Sequence, residues 1–202
     1  MSIYKIKPLF QNALRPLVTK LYKNGITANQ VTVTACLVSV FIGFALFFMP
    51  LPRGAFLLLP IWFFIRMAFN AIDGMLAREF GQQSKLGAVL NELTDVISDA
   101  ALYLPLAIIQ PFQAFWIACV IILSIISEFI GVQAVTIGAS RRYDGPMGKS
   151  DRAFVFGALG LWIGLTDKLP QWSSWILPVL ALMVVLTIIN RATKALQEAR
   201  SI

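Results

Sequence analysis

Apolar residues run in long unbroken blocks along this chain. Six blocks, at 31–49, 55–80, 86–110, 113–139, 151–167 and 173–193, each approach the ~20 residues that a helix needs to cross the hydrocarbon layer of a membrane. Turn residues punctuate them. Pro50 and Pro52 close the first block, and Gly81, Gln82, Gln83 and Ser84 separate the second from the third. Pro111, the stretch "SRRYDGPMGKS" and the stretch "DKLPQWSS" supply the remaining joints. The blocks are continuous, whereas the strands of a membrane barrel are short and alternate. Ahead of the first block, residues 3–24 place Ile6, Leu9, Phe10, Leu14, Leu17, Val18 and Leu21 at helical spacing. Lys5, Lys7, Arg15, Lys20 and Lys23 form the opposite face, as in a helix lying on an anionic leaflet. Gly25 ends that helix, and Thr27 or Asn29 can cap the next. The pattern predicts an all-α integral membrane protein with a single domain over 1–202. Its parts are the amphipathic interfacial helix at 3–24, six transmembrane helices forming a bundle over 31–193, and a cytoplasmic tail at 194–202.

Composition agrees. The chain is 58% hydrophobic with a mean hydropathy of +0.76, and only 13% of its residues are charged, against about 25% in soluble domains. There is no histidine, which excludes a histidine base, nucleophile or metal ligand. Cys36 and Cys119 lie in apolar runs and read as small buried hydrophobes, with no disulfide or metal-type spacing. The N-terminus does not have the pattern of a removable signal peptide. Basic residues are asymmetric. The five N-terminal ones fall on one side with Arg78, Lys85, Arg141, Arg142, Lys149, Arg152, Arg191, Lys194 and Arg200, and only Arg53 and Lys168 fall on the other. By the positive-inside rule both termini are cytoplasmic, and residues 73–95 and 141–152 share that face. In a bacterium this is the inner membrane. The net charge of +7 therefore reads as membrane orientation, not as a nucleic-acid partner. Trp172 and Trp175 read as an outer interfacial belt, and Arg191, Lys194 and Arg200 as headgroup anchors for the last helix.

One stretch breaks the apolar rule. "NAIDGMLAREFGQQSKLGAVLNELTDVISD", residues 70–99, holds seven charged side chains. Asn70 and Asp73 share a face of the second span, and Gly87, Asn91, Asp95 and Asp99 share a face of the third. The short link predicts antiparallel neighbours whose polar faces meet near the cytoplasmic surface. Two carboxylates and two amides make an oxygen-rich site suited to a hard divalent cation and then a phosphate. The alternative is a set of interhelical hydrogen bonds, and Glu79 and Lys85 read as headgroup-level charges. Gly74 and Gly87 allow close approach to the backbone. Arg66, Asp99 and Glu128 fall at similar depth further in, which predicts that Arg66 pairs with Asp99, Glu128 or both.

The run Asp73-Gly74, Ala77-Arg78, Gly87, Asn91, Asp95 resembles the signature of the CDP-alcohol phosphotransferases, D-x2-D-G-x2-A-R-x8-G-x3-D-x3-D. "GITANQVTVTA" resembles that family's lead into the first span, with Ala28 where Pro is usual, and "MGKS" at 147–150 resembles a Gly-Lys element before the fifth. The resemblance covers essentially the whole chain. It implies transfer of a phosphatidyl-type group from a CDP-alcohol, CDP-diacylglycerol by preference, to an acceptor hydroxyl, with release of CMP, in phospholipid biosynthesis. By position it implies that Asp73, with Asn70, Asn91 and Asp95, holds Mg²⁺ or Mn²⁺. Asp95 would be the base, and Gly74, Ala77, Arg78 and Gly87 would border the donor. Membrane lipids are surrounding partners, and the family implies a homodimer.

Two departures stand out. Asn70 and Asn91 occupy positions where the family has Asp, so four acidic positions fall to two. Three readings follow: fewer protein-held metals, compensation by Glu92 or Asp99, or a catalytically weak relative that binds CDP-lipid or scaffolds other enzymes. A transporter is a more distant rival. The 140–152 loop offers Arg141, Arg142, Lys149 and Arg152 as a pocket for a phosphorylated acceptor or a lipid phosphate, although orientation bias alone also predicts basic residues there. The acceptor alcohol stays open.

Overall fold

The structure, a computed structural model, describes the backbone of residues 3–201 and the side chains of residues 9–201. Lys5, Ile6 and Lys7, assigned to the interfacial helix, have side chains outside the described residues. Seven α-helices run in order: α1 (Ile3–Lys23), α2 (Ala28–Phe48), α3 (Leu58–Glu79), α4 (Lys85–Tyr103), α5 (Ala114–Gln133), α6 (Lys149–Leu165) and α7 (Ile176–Arg200). The described residues include no strand.

The boundaries follow local chemistry. Thr27 caps α2: its hydroxyl accepts from the Gln30 amide at 3.2 Å while the Gln30 side chain accepts from the Thr27 amide at 2.9 Å. α2 therefore begins at Ala28, three residues before the apolar block. Ser84 caps α4 through the Gly87 amide at 2.9 Å. α4 stops short of the predicted 110 because Pro105 has no amide to donate, and a 3-10 turn over Leu104–Ile108 completes the segment. α7 continues to Arg200, beyond the expected start of a tail at 194. Ala195 is buried there against Ala134 and Ala139, and Lys194 and Glu198 bond the 140–144 loop, so this turn has tertiary partners that hydropathy does not register.

Four helical segments are long and apolar enough to cross a membrane: Ala28–Phe48, Arg53–Glu79, Ala114–Ile137 and Gln171–Arg200. Most of each faces outward, with Phe41, Phe44, Phe64, Phe115 and Phe129 more than half exposed. Trp172 and Trp175 are also exposed, at 62% and 71%. α4 and α6 are shorter, and the charged residues of the interior are shared among α3, α4, α5, α6 and α7.

α1 lies along α3, burying Val18 against Ile72, Met75 and Leu76, and Arg15 meets Glu79 at 3.1 Å. α3 and α4 are joined differently from the close pairing that their short link suggests. α2 packs on both. Its Gly43 crosses α4 so closely that a Cβ there would stand 2.1 Å from the Ala101 carbonyl oxygen. This wedge leaves a cleft between α3 and α4 at the end where their link lies.

Candidate active site

The cleft between α2, α3 and α4 has a volume of about 730 Å³. Its walls bring Asp73, Gly74, Ala77 and Arg78 of α3 together with Gly87 and Asn91 of α4. Asp73 is only 7% exposed, and its Oδ2 accepts a 2.8 Å hydrogen bond from Thr32 on α2. Both glycines face the ends of flexible side chains, which could give way to a Cβ. A Cβ at 74 would come within 2.7 Å of the Arg78 guanidinium, and one at 87 within 2.8 Å of the Asn29 side-chain oxygen. The Gln82 side chain accepts from the Ala28 amide at 2.7 Å, pinning the α3–α4 link to the first turn of α2. Arg78 and Lys85 border this cleft, and among the described residues neither has a carboxylate within ion-pair distance.

Asp95 lies one turn beyond Asn91, past Glu92, which borders both spaces. It opens on a narrow chamber between α4, α5 and α6 shared with Asp99, Tyr103, Ser124, Glu128, Lys149 and Arg152. Both Asp95 oxygens are engaged: Lys149 pairs with Oδ2 and Arg66 reaches Oδ1 at 3.2 Å. Arg66 also donates to Asp99 at 2.5 Å, as the depth argument predicts. Glu128 has other partners, Arg152 at 2.9 Å and Arg191 at 3.2 Å. Arg152 bridges back to Asp99 at 3.3 Å and to the Met147 carbonyl at 3.2 Å. Acids and bases thus alternate through the bundle. Such pairing is needed because an isolated charge at this burial costs several kcal/mol.

The structure divides the expected site residues among several environments. Asn70 lines a separate, largely apolar groove of about 490 Å³ between α3 and α6, with Phe63, Phe64, Met67, Phe154 and Lys149. Arg141 borders the cleft that Asp73 lines, pairs with Glu92 and stacks over Tyr143 at 4.7 Å. Arg142 is held by Asp144 at 2.8 Å and Glu198 at 2.6 Å. Arg152 and Arg191, read as mouth and headgroup residues, are each 1% exposed. Arg191 points inward, donating to the Ser127 carbonyl at 2.6 Å and the Asp144 carbonyl at 3.3 Å. Glu92 and Asp99, considered as replacements for the missing acids, are committed to arginines. Among the described residues, no three His, Cys, Asp or Glu side chains are grouped to hold a metal.

Two contacts escape sequence reading. Thr32 on Asp73 and Lys149 on Asp95 join residues 41 and 54 positions apart (73 − 32 and 149 − 95). Periodicity gives no hint of either.

Comparison with known proteins places this geometry. The CDP-alcohol phosphatidyltransferase family profile matches residues 25–189. The chain is 46% identical to Inner membrane protein YnbA of Escherichia coli over 97% of each chain. It is 37% identical to a phosphatidylinositol phosphate synthase of Mycobacterium marinum over 98 residues, which is 46% of this chain and 38% of that one. Among solved structures, Mycobacterium tuberculosis phosphatidylinositol phosphate synthase with CDP-DAG bound superposes with a TM-score of 0.74 at 25% identity. The match covers 89% of this chain and 92% of that one. The same enzyme in complex with manganese and citrate gives a TM-score of 0.73 at 24% identity, over 89% and 87% of the two chains. The chain is an all-helical integral membrane protein of the CDP-alcohol phosphatidyltransferase family, a transferase of substituted phosphate groups.

Proposed function

We propose that this protein transfers a phosphatidyl group from CDP-diacylglycerol to an alcohol and releases CMP, at the cytoplasmic face of the inner membrane. The observation that carries the reading is the convergence of Asp73, Gly74, Ala77, Arg78, Gly87 and Asn91, from two helices, on one cleft. Arg78 and Lys85, free of carboxylate partners among the described residues, suit a diphosphate, and the two glycines keep the walls open to a nucleotide. The apolar groove between α3 and α6 suits an acyl chain of the donor. It carries Lys149 and Asn70 among its aromatic and aliphatic lining.

The donor set is one of hard oxygens, and it fits one divalent cation, Mg²⁺ or Mn²⁺, shared with the diphosphate. Asp73 and Asn91 would hold it, with Asn70 and Asp95 nearby in sequence. When bound, the cation supplies charge neutralisation at the phosphoryl oxygens and the departing CMP. The remaining steps belong to the protein. The acceptor oxygen bonds to the phosphatidyl phosphorus. The bond from that phosphorus to the bridging diphosphate oxygen breaks, and the hydroxyl proton passes to Asp95. For this, Lys149 must yield Asp95 Oδ2 to the acceptor. Arg66, held at 2.5 Å by Asp99, keeps the other oxygen fixed. Six membrane-spanning helices, α2 to α7, with α1 at the interface and both termini cytoplasmic, and assembly as a homodimer, accompany this reading.

The test is CMP release from CDP-diacylglycerol by the purified protein, with and without Mg²⁺ or Mn²⁺, followed by chromatography of the lipid product. Tight CDP-lipid binding without CMP release under any of these conditions would instead favour a binding or scaffolding role. That second reading is motivated by the two asparagines.

A further inference from the structure

Resting on the transfer reading, we infer that the acceptor is an uncharged alcohol, one that carries no phosphate. The two polar spaces of the protein differ in how their cations are used. In the donor cleft, Arg78 and Lys85 have no carboxylate partner among the described residues, as a site awaiting phosphates requires. In and behind the chamber beside Asp95, which Lys149 and Arg152 line, the cations are already matched by the protein itself. Lys149 is on Asp95, Arg66 on Asp95 and Asp99, Arg152 on Asp99 and Glu128, and Arg191 on Glu128.

Glu128 is the decisive residue. Its carboxylate bridges Arg152 and Arg191, the two arginines that would otherwise present a paired cationic seat from α6 and α7. An internal carboxylate there does what an acceptor phosphate would do. A dianionic phosphate would have to displace Glu128 or stand beside it, leaving a carboxylate 12% exposed without its partners.

An independent observation indicates what the chamber does want. The Tyr103 and Ser124 hydroxyls line it, are 0% and 4% exposed, and have no hydrogen-bond partner among the described residues. Buried hydroxyls are rarely left so. Together with Asp95 they offer donors and acceptors of the kind a hydroxyl group satisfies. The free space, about 10 Å³, admits one hydroxyl-sized group at a time. This fits the hydroxyl end of a slender neutral alcohol, soluble or lipid-borne, presented to Asp95.

The experiment compares matched acceptors in the CMP-release assay: glycerol against glycerol 3-phosphate, inositol against inositol phosphate, and diacylglycerol vesicles as a lipid-borne hydroxyl. The soluble and vesicle arms identify the source of the alcohol. Uncharged acceptors should exceed their phosphorylated counterparts by about tenfold or more, since specificity by unmatched charge is strong. Preference for the phosphorylated partner would overturn the inference while leaving the transfer reading intact. Direct titration of the wild-type protein with glycerol 3-phosphate and inorganic phosphate decides the matter even without turnover. With the donor cleft filled by CMP, saturable binding below about 1 mM, roughly the strength of a single weak site, would overturn it, and no binding supports it. Glu128→Gln should gain phosphate binding by releasing Arg191 and one of the two carboxylates on Arg152. A folded variant with unchanged melting and no such gain would count against the role of Glu128.

Discussion

Arg66 on α3 and Asp99 on α4 meet at 2.5 Å in the interior of the bundle, and both are at most 5% exposed. With the Arg66–Asp95 contact, the pair ties α3 directly to α4, and α2 packs on both. Replacing Arg66 by Met strands Asp99 and removes one partner of Asp95. The expected loss is about 3–5 kcal/mol in unfolding free energy, the usual consequence of breaking a buried pair from one side. Arg66→Met with Asp99→Asn should recover part of it. Denaturation of both variants in detergent tests this, and equal instability of the single and double variants would mean that the pair is not the cause.

Asp95→Asn removes the proposed proton acceptor while preserving shape. CMP release should fall by about 10²–10⁴, the span of general-base effects. CDP-lipid binding, measured separately, should change little because Asp95 lies outside the donor cleft. Near wild-type turnover would assign the base elsewhere.

The asparagines make different predictions from one another. Asn91 borders the cleft with Asp73, whereas Asn70 lines the groove between α3 and α6. Asn91→Asp should therefore tighten Mn²⁺ binding more than Asn70→Asp. Metal titration of each single variant reads the difference, and a larger gain at Asn70 would reverse the assignment.

Asp144 sits in the loop between α5 and α6, and a hydrogen bond from Lys194 and then one from Arg142 hold its carboxyl below the ordinary carboxylate range. A carboxyl depressed in the folded state contributes stability above its unfolded pKa, and that contribution is lost as pH falls through the folded value. Hydrogen-exchange protection factors of residues 140–145 and of the last turns of α7, corrected for the intrinsic exchange rate, should fall on acidification below about pH 4, near the unfolded carboxylate value. Asp144→Asn should show the lower protection already at neutral pH. Because the pair is largely exposed, the effect is local and salt-sensitive.

The helical segments, their joints and the signature residues were readable because each rests on local information. Pro105, Thr27 and Ser84 act on their own helix ends. The depth argument also placed Arg66 against Asp99, since two helices of known rise bring charges at equal depth together. What the sequence did not carry was long-range partnership. Position along the chain puts Arg152 at the cytoplasmic mouth and Arg191 among headgroup anchors, and only the folded chain brings Glu128 between them. Likewise, a short α3–α4 link suggests direct contact, whereas α2, with its Gly43 close on α4, packs against both helices.

That glycine has a consequence for how the site is kept in register. Gly43 is remote from the signature acids in sequence, yet it brings α2, whose Thr32 bonds Asp73, against the backbone of α4, which carries Asp95. A side chain at 43 would meet backbone, so α2 or α4 would have to shift. A larger side chain at 43 would act as a shim, tilting one acid away from the other, and its first symptom would be a donor that still binds and an acceptor that no longer reaches it.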